Sequence, residues 1–174
     1  MWPPPFRDAF VWIGTLPGSL YFREESPYAF QTLLVMHVLS MCLFLGLVFM
    51  MDLRLMGVGH RETRVSDIQK RLFPWQLVGG IVMSVSGAVL FYAQPVYYWG
   101  KGFFWIKMTV MPLAVANVLF FHFTTYRSVA QWDAEASPPF PVKLAGALSI
   151  VLWVAVLCFG RLVAYDWWTI VEGL

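Results

Sequence analysis

Four long apolar runs separated by short polar connections dominate the hydrophobic pattern of the chain. The runs cover 29–52, 74–94, 103–125 and 142–165. A membrane-spanning helix needs roughly 20 mostly apolar residues, and the first run has no formally charged residue before its last position. The pattern therefore predicts an all-α integral membrane protein, a four-helix bundle whose successive helices run up, down, up and down.

The segments outside these runs are short and rich in aromatic residues. Residues 1–28 begin with a proline cluster and have no basic start, which is unlike a signal peptide. We predict that they form a short interfacial segment, a helix and a turn, with a poorly ordered tail as the alternative. The predicted domains are then this segment, a four-helix transmembrane domain at 29–165, and an aromatic tail at 166–174.

Composition agrees with a membrane protein and argues against a nucleic-acid partner. Hydrophobic residues make up 59% of the chain and charged residues 13%, against about 25% charged in soluble domains. The formal net charge of +2 is too small for a nucleic-acid surface. The two cysteines, Cys42 and Cys158, lie inside apolar runs and suggest no disulfide framework. The first expected partner is therefore the lipid bilayer.

The distribution of basic residues predicts the orientation. The first and third connections and their borders hold Arg54, Arg61, Arg64, Lys70, Arg71, Arg127 and Lys143. The opposite side holds Arg7, Arg23, Lys101 and Lys107. By the positive-inside rule, both termini lie outside the cytoplasm, which is the periplasm for a bacterial inner membrane.

Ionisable side chains within the runs are the candidate functional residues. His37 lies well inside the first run, and Lys107 and His122 lie at helical spacing on one side of the third. Such side chains are costly at membrane depth unless they have a partner or a ligand. The alternative for His37 is an ordinary hydrogen bond to a backbone carbonyl or to a serine, and Ser40 is one turn away.

Depth along the helices separates these residues into two clusters. At about 1.5 Å per residue, His37 and His122 differ in depth by roughly 15 Å. The outer cluster comprises His37, Lys107 and Arg161. The inner cluster comprises His122, His60, Arg54 and Arg127. Each joins an imidazole to cationic side chains, as a haem requires for its iron and its propionates.

We therefore expect one or two b-type haems, with the three histidines as candidate iron ligands. The haem would be non-covalent, because the chain has no Cys-x-x-Cys-His motif. A single haem shared by His37 and His122 stays open, since tilted helices could bring the two to one depth. For His60, an ordinary place in a polar loop is the favoured interpretation.

Several motifs carry a resemblance to known families. They are His37, Asp52-Leu53-Arg54-Leu55, Lys107, Asn117, His122 and Gly160-Arg161. In this order they resemble a bacterial family of four-helix membrane proteins known only as a domain of unknown function. More distantly, the histidine of the first helix and the lysine and histidine of the third are similar to HemJ-type protoporphyrinogen oxidases and CopD-type copper-resistance proteins. The HemJ likeness implies b-type haem at His37 and His122. Porphyrinogen oxidation is not carried over, because the tail differs from that of HemJ-type proteins.

Three functions follow as hypotheses. The first is a haem b protein that transfers electrons between a quinone or a periplasmic donor and a redox partner or a larger membrane complex. The second is an accessory subunit of a respiratory or photosynthetic complex, in which the aromatic residues pack against pigments, lipids or neighbouring helices. The third is copper handling, suggested by the nine methionines and the CopD likeness. A hydrolase has no support, because the runs contain no set of nucleophile, base and acid and no pair of carboxylates.

Overall fold

The four predicted spans are present as long helices. The computed structural model describes residues 4–26, 28–58, 62–133 and 137–165, so the predicted tail at 166–174 lies outside the described residues. The spanning helices are α3 (Ala29–Leu55), α4 (Val65–Ala93), α6 (Gly102–Phe123) and α8 (Phe140–Leu162). Each is long and apolar enough to cross a membrane. The predicted all-α four-helix membrane fold is confirmed.

Shorter helices complete the described part of the chain. They are α1 (Pro4–Gly14), α2 (Pro17–Leu20), a π-helical turn (Tyr21–Glu25), α5 (Pro95–Trp99), a 3₁₀ helix (Thr125–Ser128) and α7 (Val129–Trp132). The first three precede α3, α5 joins α4 to α6, and the last two follow α6.

The start of α4 differs most from the prediction, which placed it at 74. The helix begins at Val65 because a distant carboxylate caps it: Asp133 accepts 2.8 Å and 2.6 Å hydrogen bonds from the Ser66 backbone amide and hydroxyl. A carboxylate suits the unpaired amides and the positive dipole of a helix N-terminus. Because Asp133 follows α7, no local pattern at the start of α4 could indicate this cap.

The spanning helices form an open bundle. Helices α3 and α8 pack against each other at the centre, α4 packs along α3, and α6 packs along α8. Within the described residues, α4 and α6 do not pack along each other. Their rings meet at one end, where Phe91 stacks on Phe104 at a centroid distance of 5.5 Å. A cleft therefore separates α4 from α6, and α3 and α8 form its floor.

Glycines set the close approach of the central helices. A Cβ on Gly146 of α8 would lie 2.9 Å from the Asp52 backbone oxygen of α3. On the other side of α3, a Cβ on Gly79 of α4 would lie 3.3 Å from the backbone of Phe44. Side chains larger than hydrogen do not fit such backbone contacts without a shift. These glycines of α4 and α8 thus serve mainly to let the helices pack closely.

The N-terminal segment packs on one end of the bundle. The Phe10 ring of α1 lies 4.5 Å from the Trp99 ring of α5. The Ser19 hydroxyl donates a 3.1 Å hydrogen bond to the Ala93 carbonyl at the end of α4. The predicted helix in this segment is therefore present. Its place in the lipid headgroup layer stays a prediction.

Candidate functional site

The cleft contains two cavities at different levels. The His37 cavity has a volume of about 920 Å³ and lies toward the end that carries the N-terminal segment. The Asp52 cavity has a volume of about 630 Å³ and lies toward the other end. A core cluster of Leu45, Ala114, Trp153 and Val156 lies between the two levels. Both volumes fall in the usual range for small-molecule sites, about 300–1,000 Å³.

The His37 cavity brings together all three residues of the predicted outer cluster. His37 comes from α3, Lys107 from α6 and Arg161 from α8, and all three line this cavity. His37 and Lys107 are half-buried, and Arg161 is exposed. Residues far apart in the chain thus face one space large enough for a cofactor.

A hydrogen bond to Ser86 holds one side of the His37 ring. Its Nδ1 lies 2.9 Å from the Ser86 hydroxyl, which donates its own hydrogen to the Val82 carbonyl at 2.6 Å. In this arrangement the Ser86 oxygen accepts from Nδ1–H, and in a neutral ring the lone pair is then on Nε2. Ser40 donates instead to the backbone oxygen of His37 at 2.9 Å, so the hydrogen bond to a serine that was the alternative for His37 is made by Ser86. A neutral imidazole held in this way presents Nε2 to a metal, with its other nitrogen anchored.

Glycines in the cavity wall keep space beside these side chains. A Cβ on Gly87 would lie 3.0 Å from the His37 Cε1, so any larger residue would displace the ring. A Cβ on Gly160 would lie 3.7 Å from the Lys107 Nζ, an ordinary contact. The wall therefore fits closely at the imidazole and loosely at the ammonium group.

The charged side chains that line the His37 cavity, among the described residues, are all positive. Lys107 and Arg161 line it, and none of the described residues that line it is an aspartate or a glutamate. The Arg161 guanidinium lies over the Tyr165 ring at 5.5 Å, an orientation typical of a cation–π contact. Phe91 and Phe104 add a flat aromatic wall. The arrangement suits a flat, largely apolar ligand with negative groups at its edge.

The predicted inner cluster is not assembled by the described residues. His122 lines the Asp52 cavity, and its ring stacks on Tyr126 at 5.5 Å. Neither Arg54 nor Arg127 lines that cavity. Arg54 is fully buried, and its Nε donates a 2.9 Å hydrogen bond to the Thr63 carbonyl, so it does not reach the surface as predicted.

The remaining members differ in how the structure treats them. Arg127 is exposed on the 3₁₀ helix, and His60 lies outside the described residues. His37 and His122 line different cavities. In the described ranges, no three His, Cys, Asp or Glu side chains gather as a metal cluster. The inner haem thus stays a prediction without an assembled ligand set.

Sequence reasoning gave no site role to three residues of the Asp52 cavity. Asp52 Oδ2, Ser149 Oγ and Trp153 Nε1 are buried, and none has a hydrogen-bond partner among the described residues. The hydroxyl of Ser149 lies beside the Asp52 carboxyl but outside standard hydrogen-bond geometry. Asp52 stands at the polar end of an apolar run, which was a usable signal. Only the packing of α8 on α3 brings the other two beside it.

Comparisons with known proteins define the family without defining its chemistry. Searches of curated proteins and of solved structures gave no match. The similarity to HemJ-type and CopD-type proteins therefore stays a prediction. A family model described as "Family of unknown function (DUF6644)" matches residues 21–166, which include all four spanning helices. The chain belongs to this family, as its motifs predicted.

Proposed function

We propose that the protein binds a b-type haem in the His37 cavity and transfers electrons in the bacterial inner membrane, with both termini on the periplasmic side. The observation that carries the proposal is that His37, Lys107 and Arg161 line one cavity of about 920 Å³. The family description names no chemistry, so support comes from the residues themselves. The basic residues around the first and third connections support the orientation.

The anchored imidazole supports iron ligation at His37. Ser86 holds Nδ1, so Nε2 is the nitrogen available to a metal. A bound haem would supply one-electron exchange between ferric and ferrous iron. The chain's part is to present Nε2 at a fixed angle and to keep water from the iron with apolar walls.

The two cations support a dianionic cofactor. An ammonium group at membrane depth is costly unless a counter-charge or water stabilises it. Since no described acid lines the cavity beside Lys107 and Arg161, a ligand with two carboxylates would supply the missing negative charge. Haem b has two propionates, and their charge-assisted hydrogen bonds to Lys107 and Arg161 would orient the ring.

Copper handling is the second candidate, because soft ligands also occur here. Met41 and Cys158 line the cavity together with His37, and histidine, methionine and cysteine are ligands of Cu(I). The same two cations count against it, because positive charge nearby raises the energy of a bound metal ion. The charge of the cavity therefore favours an anionic cofactor over a free cation.

Absorption spectra of His37→Ala and His122→Ala test the proposal with one residue type in two cavities. The protein is expressed with ample haem supply, purified in detergent, and measured oxidised and then reduced. We expect His37→Ala to lose most of the Soret absorbance, because no covalent link would retain the macrocycle. His122→Ala should keep the wild-type spectrum.

The haem-to-chain ratio separates the remaining possibilities. A ratio of one that is retained in His122→Ala supports the proposal, whereas two haems per chain would support the inner site predicted around His122. Loss of a single haem in both variants would indicate one iron shared by the two histidines. An unchanged spectrum in His37→Ala, or wild-type protein without haem, would overturn the proposal. Reporter fusions that place the 53–73 connection in the periplasm would overturn the orientation.

A further inference from the structure

We infer that the Asp52 cavity binds the ring of a membrane-dissolved hydroquinone, with Asp52, Ser149 and Trp153 as its hydrogen-bonding residues. The inference does not depend on haem in the His37 cavity, because the two cavities lie at different levels of the cleft and no residue lines both. A quinone is already a candidate electron donor from the sequence. The structure supplies a place for its headgroup.

Three polar groups without partners mark the site. Asp52, Ser149 and Trp153 are 6%, 2% and 4% exposed, and all three line the cavity. Their Oδ2, Oγ and Nε1 atoms have no hydrogen-bond partner in the described part of the chain. A buried polar group left without a partner costs about 1–3 kcal/mol. The Trp153 indole, together with the adjacent Asp52 carboxyl and Ser149 hydroxyl, indicates a ligand that completes their hydrogen bonds.

The kinds of group restrict the ligand. The indole N–H of Trp153 only donates, whereas the Asp52 carboxyl and the Ser149 hydroxyl can each accept. A matching ligand needs a hydroxyl that donates to the carboxyl and oxygen lone pairs that accept from the indole. The phenolic oxygens of a hydroquinone meet both needs on one flat ring.

The walls and the opening of the cavity fit such a molecule. Phe44, Phe73 and Phe121 line it, as does the Trp153 ring. The large apolar side chains of its α4 and α6 walls are exposed on the bundle surface: Leu77, Ile81, Val85, Val118 and Leu119. An isoprenoid tail could thus remain in the lipid while the ring enters between α4 and α6.

The charge of the cavity argues against other membrane-derived ligands. Asp52 is an acid, and none of the described residues that line the cavity is a lysine or an arginine. The phosphate of a phospholipid and the propionates of a haem would find no cation among these lining residues. A neutral molecule with donor hydroxyls needs no such cation.

The test measures binding of a decyl-substituted benzohydroquinone to full-length protein in nanodiscs, kept reduced, with empty nanodiscs correcting for lipid partition. We expect saturable binding of one molecule per chain. Trp153→Phe should weaken binding roughly three- to tenfold and Asp52→Leu roughly tenfold, since leucine neither accepts nor donates a hydrogen bond. Trp75→Phe, at an exposed indole of α4, is the matched control and should bind as wild type.

Folding and haem content are checked on the same samples. Ser149→Ala is included in case Asp52→Leu unfolds, because it removes only one hydroxyl. Weaker binding in Ser149→Ala and Trp153→Phe, with unchanged melting temperature and Soret absorbance, supports the inference. Absence of saturable binding, equal binding by all variants, or a tightly bound phospholipid in the cavity would overturn it. None of these results depends on His37, so failure here and failure of the haem proposal are distinguishable.

Discussion

The two cavities of the cleft share their helices and differ in charge. Both lie between α4 and α6 above a floor of α3 and α8, and both have mainly apolar walls. The His37 cavity carries Lys107 and Arg161 without a described acid, whereas the Asp52 cavity carries one acid without a described lysine or arginine. The open bundle therefore provides space at both levels, and a few charged residues decide which ligand each level accepts.

The packing of α8 also differs between the levels of the two cavities. At the level of the Asp52 cavity, Gly146 brings α8 against the α3 backbone at Asp52. At the level of the His37 cavity, Gly160 faces the flexible Lys107 side chain with space left over. The Asp52 end is thus held by backbone contact, and the His37 end leaves room for a large ligand.

The largest expected effect comes from removing a cation from the His37 cavity. We expect Lys107→Met to lower haem affinity roughly tenfold or more, because one propionate loses a charge-assisted hydrogen bond. The haem-free protein should become more stable, because an ammonium group is no longer held at membrane depth. Haem titration of the apoprotein, followed at the Soret band, and thermal unfolding in detergent measure the two effects.

Lys70→Met is the control for this prediction, because Lys70 is exposed on α4 and lines neither cavity. It should change neither haem affinity nor stability by much. Hydroquinone binding should be the same in Lys107→Met as in wild type. If Lys107→Met retained haem as tightly as wild type, the charge difference between the cavities would not determine their ligands.

The next effect tests the packing difference with one substitution at two glycines of α8. Gly146→Ala should destabilise the protein by about 1–3 kcal/mol, because its Cβ would meet the Asp52 backbone oxygen at 2.9 Å. Gly160→Ala should be neutral or slightly stabilising, since its nearest contact is the Lys107 Cδ at 3.6 Å and alanine favours helix. Unfolding in mixed micelles compares them. Equal effects would mean that both ends of α8 pack alike.

The sequence predicted most of the fold because the spans depend on local composition. Apolar runs of sufficient length indicate membrane helices wherever they pack, and all four were found. The start of α4 at Val65 could not be predicted, because its cap comes from Asp133, far along the chain. Boundaries that depend on a distant side chain leave no local pattern.

The sequence predicted the residues of the His37 cavity but not those of the Asp52 cavity. His37, Lys107 and Arg161 lie in or near apolar runs, where charge is rare enough to be a signal, and the structure places them in one cavity. Arg54 was misjudged because it stands near a helix end, where a free surface position is usual, yet it is fully buried. Ser149 and Trp153 are common in membrane helices, so their unpaired atoms become visible only in three dimensions.

The smallest expected effect concerns the cap that Asp133 forms on α4, at the end of the bundle where the Asp52 cavity lies. Burial alone would raise the pKa of the Asp133 carboxyl, but hydrogen bonds from the Ser66 hydroxyl and amide, and the charges of Arg64 and Arg54, lower it below its ordinary value of 3.8. A pKa that is lower in the folded state adds stability above the ordinary pKa, and this stability is lost as the pH falls through the folded value. The melting-temperature difference between wild type and Asp133→Asn should therefore stay constant from pH 7 to about 5 and shrink below about 4. Its size should be modest, because the group is partly solvated and salt screens it.

Asp67→Asn, at an exposed carboxylate in the first turn of α4, should show a smaller difference at every pH. If the Asp133 cap stabilises only the end of the bundle where it lies, Asp133→Asn should weaken hydroquinone binding and leave the Soret band unchanged. A shifted Soret band would show that the two cavities are coupled.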